Sequence, residues 1–388
     1  MKFAGIITEY DPFHNGHAAQ LAAARRAGAE CIAVCMSSGA VQRGGVPILP
    51  DAVRARAALE AGADQVVALP APYACATAER FAAAGVSLLA ALGCDTLVFG
   101  AETPDAALLQ QAAALLQREE LQPLLRQKLS AGMTYAAARA EAAEELVPGM
   151  GALLRTPNNI LGIEYCKAIL NQKVALQPMP LPRWGAAHGG AAGEHDGTPM
   201  ASASYLRQHT LEEWAPFVPQ TAMELYRKAA AEGQLLDAQK FETAVLALLR
   251  AAPPERFARA RGVSEGLENR LAAAVREAES LEALYTRLKT KRYPHARLRR
   301  LVLDAALEFP AELPEPPYLL VLGARKAVLP RLKQARLPAG TSLADLMRTG
   351  EEARKIGELH SRAVDFSSLC RCKIRPMGLA FTAKPVIL

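Results

Sequence analysis

Four short apolar runs, separated by segments of helical length, constrain this chain more than any other feature. They are residues 2–7 (K-F-A-G-I-I), 30–36 (E-C-I-A-V-C-M), 65–69 (Q-V-V-A-L) and 96–100 (T-L-V-F-G). Between them, residues 18–27, 51–61 and 78–92 read as helices, the last stopped by Gly93. Strands joined through helices lie parallel, with right-handed crossovers, and are covered on both faces. The expected fold is therefore α/β around a parallel sheet. In such sheets ligands bind outside the carboxyl ends of the strands, near the point where strand order reverses. Three segments sit at such ends: the turn carrying His14 and His17, the glycine- and proline-rich loop 37–50 with Arg43, and Gly100. They are expected to meet in one cleft.

The first of them, Gly5-Ile-Ile-Thr-Glu-Tyr-Asp-Pro-Phe-His14-Asn-Gly-His17, is a strand, a tight turn and a helix start in that order. The first N–H groups of a helix are unpaired and carry the positive end of its dipole, which suits a phosphate. Two histidines three apart reach an anion held there, and Gly16 keeps a Cβ out of the approach. The stretch resembles the phosphate-binding signature of the HIGH-type nucleotidyltransferases, which cleave ATP between the α- and β-phosphates. Its wider wording, E-Y-D-P-F-H-N-G-H, is similar to the opening of the bacterial tRNA(Met) cytidine acetate ligases. A Rossmann-like nucleotidyltransferase domain is what that resemblance implies.

By the same resemblance His14 and His17 are the catalytic pair. The ATP-binding stretch is Ile7, Thr8, Glu9, Tyr10, Asp11, Pro12, Phe13, His14, Asn15, Gly16, His17, Ala18, Ala19 and Gln20. Gly100 would admit the nucleotide to its backbone, while Asn158 (in T-P-N-N-I-L-G-I-E-Y) and Arg183 match further nucleotide contacts, Asn159 less so. Ala201-Ser-Ala-Ser204-Tyr-Leu-Arg207 resembles the second superfamily signature, a serine-rich turn at a helix start. There Ser202, Ser204 and Arg207 would hold the β- and γ-phosphates. The alanine-, leucine- and glutamine-rich residues 104–150 read as a structural helical insertion that lengthens the spacing between the signatures. Some residues depart from the family pattern. Asp11 replaces the usual Asn, loop 37–45 lacks a common Phe and Glu, and Trp184 stands for a smaller aliphatic residue. A carboxylate at Asp11, beside the phosphates, is expected to weaken ATP binding unless Mg²⁺ or a lysine offsets it.

Domain organisation follows from composition. Residues 1–215 form the nucleotidyltransferase unit, 216–310 a mainly helical basic region, and 318–388 a small C-terminal α/β unit behind the proline-rich linker 308–317. Residues 187–198 are glycine-rich and expected to be mobile. Residues 287–300 carry seven Lys or Arg and no acid. Tyrosine and histidine are interleaved with these bases, a pattern suited to phosphates plus stacked RNA bases. The T-K-R-Y block again resembles the ligase family. Lys289, Lys291, Arg292, Tyr293, Arg297, Arg299 and Arg300 are the candidate tRNA contacts. No apolar run approaches the roughly 20 residues of a membrane span, and no signal-peptide pattern is present, so a cytoplasmic chain is expected. The seven cysteines are scattered without a metal-site spacing, and no metal ligands are assigned.

The resemblance implies ligation of acetate to the wobble cytidine of elongator tRNA(Met) through an acetyl-adenylate, with ATP as substrate accompanied by Mg²⁺. Acetyl-CoA is not expected, since no acyl-CoA-binding pattern occurs, and the oligomeric state is left open. Two alternatives share the first hundred residues: a small-molecule adenylyltransferase and a non-catalytic RNA-binding protein. The first leaves the basic helical region unexplained. The second predicts no pyrophosphate release with any substrate.

Overall fold

The four runs form β1 (Phe3–Thr8), β2 (Cys31–Ser37), β3 (Gln65–Leu69) and β4 (Thr96–Ala101). These strands belong to a computed structural model that describes residues 2–184, 192–263, 266–291 and 293–388. Arg292 lies outside the described residues, as do residues 187–191 of the glycine-rich stretch. A fifth strand, β5, spans Gln177–Pro182 and starts no earlier. The reason is local: Lys173 turns left-handed at the end of the preceding helix, and the N–H of Val174 still bonds back to Ile169. In β5 the prolines occupy alternate positions, 178, 180 and 182. All the missing N–H groups therefore face away from β4, which fits an edge strand. A hairpin of β6 (Gly193–His195) and β7 (Thr198–Met200) stands apart, within the stretch expected to be mobile.

The sheet order is β10-β8-β3-β2-β1-β4-β5, with β8 at Leu319–Ala324, β10 at Val386–Ile387, and β9 (Ala339–Gly340) paired with β8. Strands β1 to β5 are mutually parallel, whereas β8 runs antiparallel to β3. The first strand of residues 318–388 is thus a strand of the main sheet. Strand order reverses between β1 and β4, so the crevice for a ligand opens at their carboxyl ends.

Helix α1 (Asn15–Arg26) begins earlier than its apolar pattern because His14 caps it. It is followed by α2 (Asp51–Glu60), α3 (Ala71–Ala74) and α4 (Ala78–Leu92). Alternation along β1 sorts the layers: Ala4 and Ile6 pack with Leu21 and Ala58, and Phe3 and Ile7 pack with Phe81 and Leu89. The insertion is helical, as α5 (Ala106–Leu115), α6 (Leu121–Ser130), α7 (Tyr135–Leu146) and α8 (Met150–Leu153), and returns to the sheet through α9 (Pro157–Gln172). After the short α10 (Ala203–Leu206) come α11 (Gln220–Ala231), α12 (Ala238–Arg250), α13 (Pro254–Arg259), α14 (Leu267–Glu277), α15 (Leu281–Leu288) and α16 (His295–Leu307).

Loop 37–50 is held from beneath by Arg54, whose side chain is 0% exposed. Its Nε donates to the Leu49 carbonyl (3.2 Å), one Nη to the Glu9 carbonyl and the other to the Ser37 carbonyl (2.9 Å), with Asp51 as ionic partner. One guanidinium thereby joins the ends of β1 and β2 to the loop. Truncating it leaves three carbonyls without this donor and the Asp51 carboxylate with Ser38 but no cation, so Arg54→Met should cost about 3–5 kcal/mol. Urea unfolding measures this, and a loss below about 1 kcal/mol would contradict the assigned role.

Candidate nucleotide-binding site

The turn after β1 is built by its two histidines. Nδ1 of His14 accepts the N–H of Gly16 (3.1 Å), and Nδ1 of His17 accepts the N–H of His14 (3.3 Å). This is a capping box made of imidazoles, with the rings stacked 3.8 Å apart. A Cβ on Gly16 would come within 3.0 Å of the His14 ring, which is why glycine stands there. Of the N–H groups at this helix start, those of His14 and Gly16 are taken up by the rings. Because each Nδ1 is an acceptor, each neutral ring carries its proton on Nε2. The histidines therefore extend the positive helix end outward as two N–H donors.

Both rings are held neutral. Burial, then Arg183 and Arg207, push His14 down to about 3, and burial, the neighbouring His14 and Arg183 push His17 well below its ordinary value.

Asp11 is buried in an ion pair. It is 1% exposed, accepts the Ile48 N–H at 2.7 Å and pairs with Arg43, whose other nitrogen meets Glu9 at 2.9 Å. Burial alone would raise the Asp11 carboxyl, but Arg43, Arg54 and Arg207 hold it below the usual range. The expected weakening of ATP binding loses its basis, and Arg43 is spent on clamping loop 37–50 to the turn. Tyr10 and Phe13 are buried against each other and against the His17 ring, and Ile7 is core. Pro12 follows a cis peptide bond. Ala18 is packed beside that core and Gln20 donates to the Val98 carbonyl on β4 (3.3 Å).

The second signature lies against the first. Asn15 donates to the carbonyls of Pro199 (2.9 Å) and Pro216 (3.1 Å), and Arg207 donates to the Asp11 carbonyl (2.8 Å). Ser202 caps α10 through the Tyr205 N–H, with its hydroxyl 2.9 Å from that of Ser204. On the β4 side, the space above Gly100 is bounded by the Arg183 stem, 3.6 Å from where a Cβ would sit. Glu102, which sequence reasoning missed, organises this corner. It accepts the Asn158 amide (2.6 Å) and the Asn159 N–H (2.8 Å), and lies 3.7 Å from Arg183. Its only signal in sequence is its place just after β4. Asn159 is buried and satisfied by Thr103. Trp184, unusual by the family pattern, stacks on His195 of the hairpin at 5.1 Å.

The basic run reaches this cleft through loop 37–50. Arg300 donates to the Gln42 carbonyl (3.2 Å), and a Cβ on Gly44 would strike the Arg299–Arg300 backbone at 2.5 Å. Lys289, Lys291 and Arg299 are exposed, whereas Tyr293 is 8% exposed with Arg297 over its ring (4.6 Å). Tyr293 thus has no free face for an RNA base, a correction to the stacking role expected of it. Among the described residues no group of three metal-ligating side chains occurs, and no helix is long and apolar enough to cross a membrane.

A strand, a histidine-capped helix and an abutting serine–arginine turn at the reversal point define a nucleotidyltransferase-type site. In agreement, the family model described as HIGH Nucleotidyl Transferase matches residues 1–376. The chain is 35% identical to the tRNA(Met) cytidine acetate ligase of Syntrophotalea carbinolica, over 89% of this chain and 85% of the relative. It is 30% identical to the enzyme of that name from Acetivibrio thermocellus over the whole of both chains. Crystal structures of Thermotoga maritima TmcAL, one apo and one bound with α-thio ATP, superpose with a TM-score of 0.92 at 27% identity, each covering 100% of both chains. The chain belongs to the tRNA(Met) cytidine acetate ligase family.

The cap makes a pH prediction. Between pH 6.5 and about 3 the unfolded chain binds a proton at residue 14 that the folded chain refuses, so stability falls as pH drops through that window. His14→Asn keeps a cap without the titration. Urea unfolding at pH 7 and pH 5 should show about 2 kcal/mol less pH dependence in that variant than in the parent. Equal dependence in both would mean that His14 titrates normally.

Proposed function

We propose that this chain activates acetate with ATP and ligates it to the wobble cytidine of elongator tRNA(Met), forming N4-acetylcytidine and releasing pyrophosphate and AMP. The observation that carries the reading is the pair of neutral, stacked histidines beside the Ser202–Arg207 turn, in a chain whose relatives bear the ligase name. A carboxylate resists attack by an amine because its leaving group would be oxide. In the first step an acetate oxygen attacks the α-phosphorus, the bond from that phosphorus to the bridging oxygen breaks, and pyrophosphate departs with the electron pair. In the second, the cytidine N4 lone pair attacks the acetyl carbon, AMP leaves, and the N4 proton passes to AMP or solvent.

On this reading the chain supplies position and charge neutralisation, the main demands of phosphoryl-centre chemistry. Nε2–H of His14 and His17, with Arg183, Arg207, Ser202 and Ser204, meets the phosphate charge. Gly100 and Asn158 border the nucleoside. Glu9, Asp11 and Glu102 are already engaged by Arg43, Asn158 and Asn159. Among the described residues of the cleft these carboxylates are therefore already paired, and Mg²⁺ would be held chiefly by the phosphates. The acceptor base must leave its stack to reach the cleft. Lys289, Lys291, Arg297, Arg299 and Arg300 would hold the tRNA, with salt-sensitive affinity.

ATP–pyrophosphate exchange tests the reading. Exchange should require acetate and fall by about 10²–10³ in His17→Ala, the cost of removing one charge-stabilising donor. Acetate should enter tRNA only with ATP present. Exchange that ignores acetate, or survives His17→Ala, rejects the assignment.

A further inference from the structure

The helical insertion is not confined to supporting the sheet. With the basic run and the start of α4 it encloses a cavity of about 640 Å³. That volume lies within the range of about 300–1,000 Å³ typical of pockets that bury a small ligand. Six cationic side chains line it, Arg80, Arg261, Lys289, Lys291, Arg297 and Arg300, against two acids, Glu79 and Asp304. Both acids are already paired, Glu79 with Lys167 and Asp304 with Arg261. Arg80, Lys289 and Arg300 donate to carbonyls, which orient them without neutralising their charge. With Arg261 set against Asp304, five cationic side chains remain against Glu79, and the cavity is net positive.

Two further features give the ligand its shape. The lining includes Thr77, Thr134 and Pro294, the residues that precede α4, α7 and α16. Three positive helix ends thus add to the cationic field. The lining also includes Tyr135, which is 55% exposed on the first turn of α7. Large exposed aromatics beside cations are the usual means of holding an unpaired base. Arg300 lines this cavity and also touches loop 37–50, so the cavity adjoins the nucleotide cleft.

We propose that this cavity holds an unpaired nucleotide of the RNA acceptor other than the base that is acetylated, its phosphate on Lys289 and Lys291 and its base on the ring of Tyr135. The proposal rests on the RNA-directed reading above, and assigns RNA recognition to an insertion that composition marks only as structural.

The test compares Tyr135→Ala with Tyr135→Phe, both exposed substitutions that leave the core untouched. Affinity for a tRNA(Met) transcript is measured at fixed salt by filter binding, alongside acetate-dependent pyrophosphate exchange without RNA. Loss of one stacked base should weaken Tyr135→Ala by about tenfold, with Tyr135→Phe close to the parent and exchange unchanged in both. Equal RNA affinity in Tyr135→Ala overturns the proposal. So does a matched fall in exchange, or in binding of free AMP, either of which would make the cavity a small-molecule site. Should the parent chain fail to acetylate tRNA, the assigned function falls, while the difference between the two variants in RNA affinity still decides this inference.

Discussion

Arg54 has almost no contact with water, and the site depends on where it puts its hydrogen bonds. A parallel sheet releases its strands into loops at one edge, and nothing in the sheet itself dictates how those loops lie. Here the guanidinium gathers the carbonyls of Glu9, Ser37 and Leu49 into one cluster, with Asp51 as counter-charge. The turn after β1 and the loop after β2 are thereby fixed to each other before any ligand arrives. Arg43 repeats the arrangement one layer nearer the surface, between Glu9 and Asp11. Preorganisation of this kind lets a few neutral donors do electrostatic work, because no reorganisation remains when charge develops.

Much of this was legible in the chain itself. The short apolar runs located β1 to β4, because strands covered on both faces have nowhere to place polar side chains. The H-N-G-H turn located the cleft, because a helix starting at a strand end has few other uses. What pattern reading missed was direction. It treated the acids, arginines and asparagines near the cleft as ligand contacts, whereas Glu9 and Asp11 are partners of Arg43, and Asn158 is a partner of Glu102. Glu102 pairs with a side chain 56 residues away, and Arg54 spends most of its donors on backbone carbonyls, neither of which leaves a periodic trace, so both stayed invisible.

Two other readings failed for identifiable reasons. Helix α1 began early because a histidine can cap as well as an aspartate, which residue-type rules do not anticipate. Tyr293 looked like a stacking platform within a basic run, yet it lies in the connection between α15 and α16, buried with Arg297 over its ring. The ring that does stand exposed beside those bases, Tyr135, comes from a segment whose composition carries no hint of nucleic acid.

The contact between Gly44 and the backbone of α16 joins the two halves of the chemistry mechanically. Loop 37–50 carries Arg43 and so the geometry of the histidine turn, while α16 carries Arg297 and Arg300 of the cationic cavity. With no side chain between them, the two backbones have no compliant layer to absorb a displacement. A displacement of α16 is then carried to the loop, and through Arg43 to the turn after β1, as a rigid push.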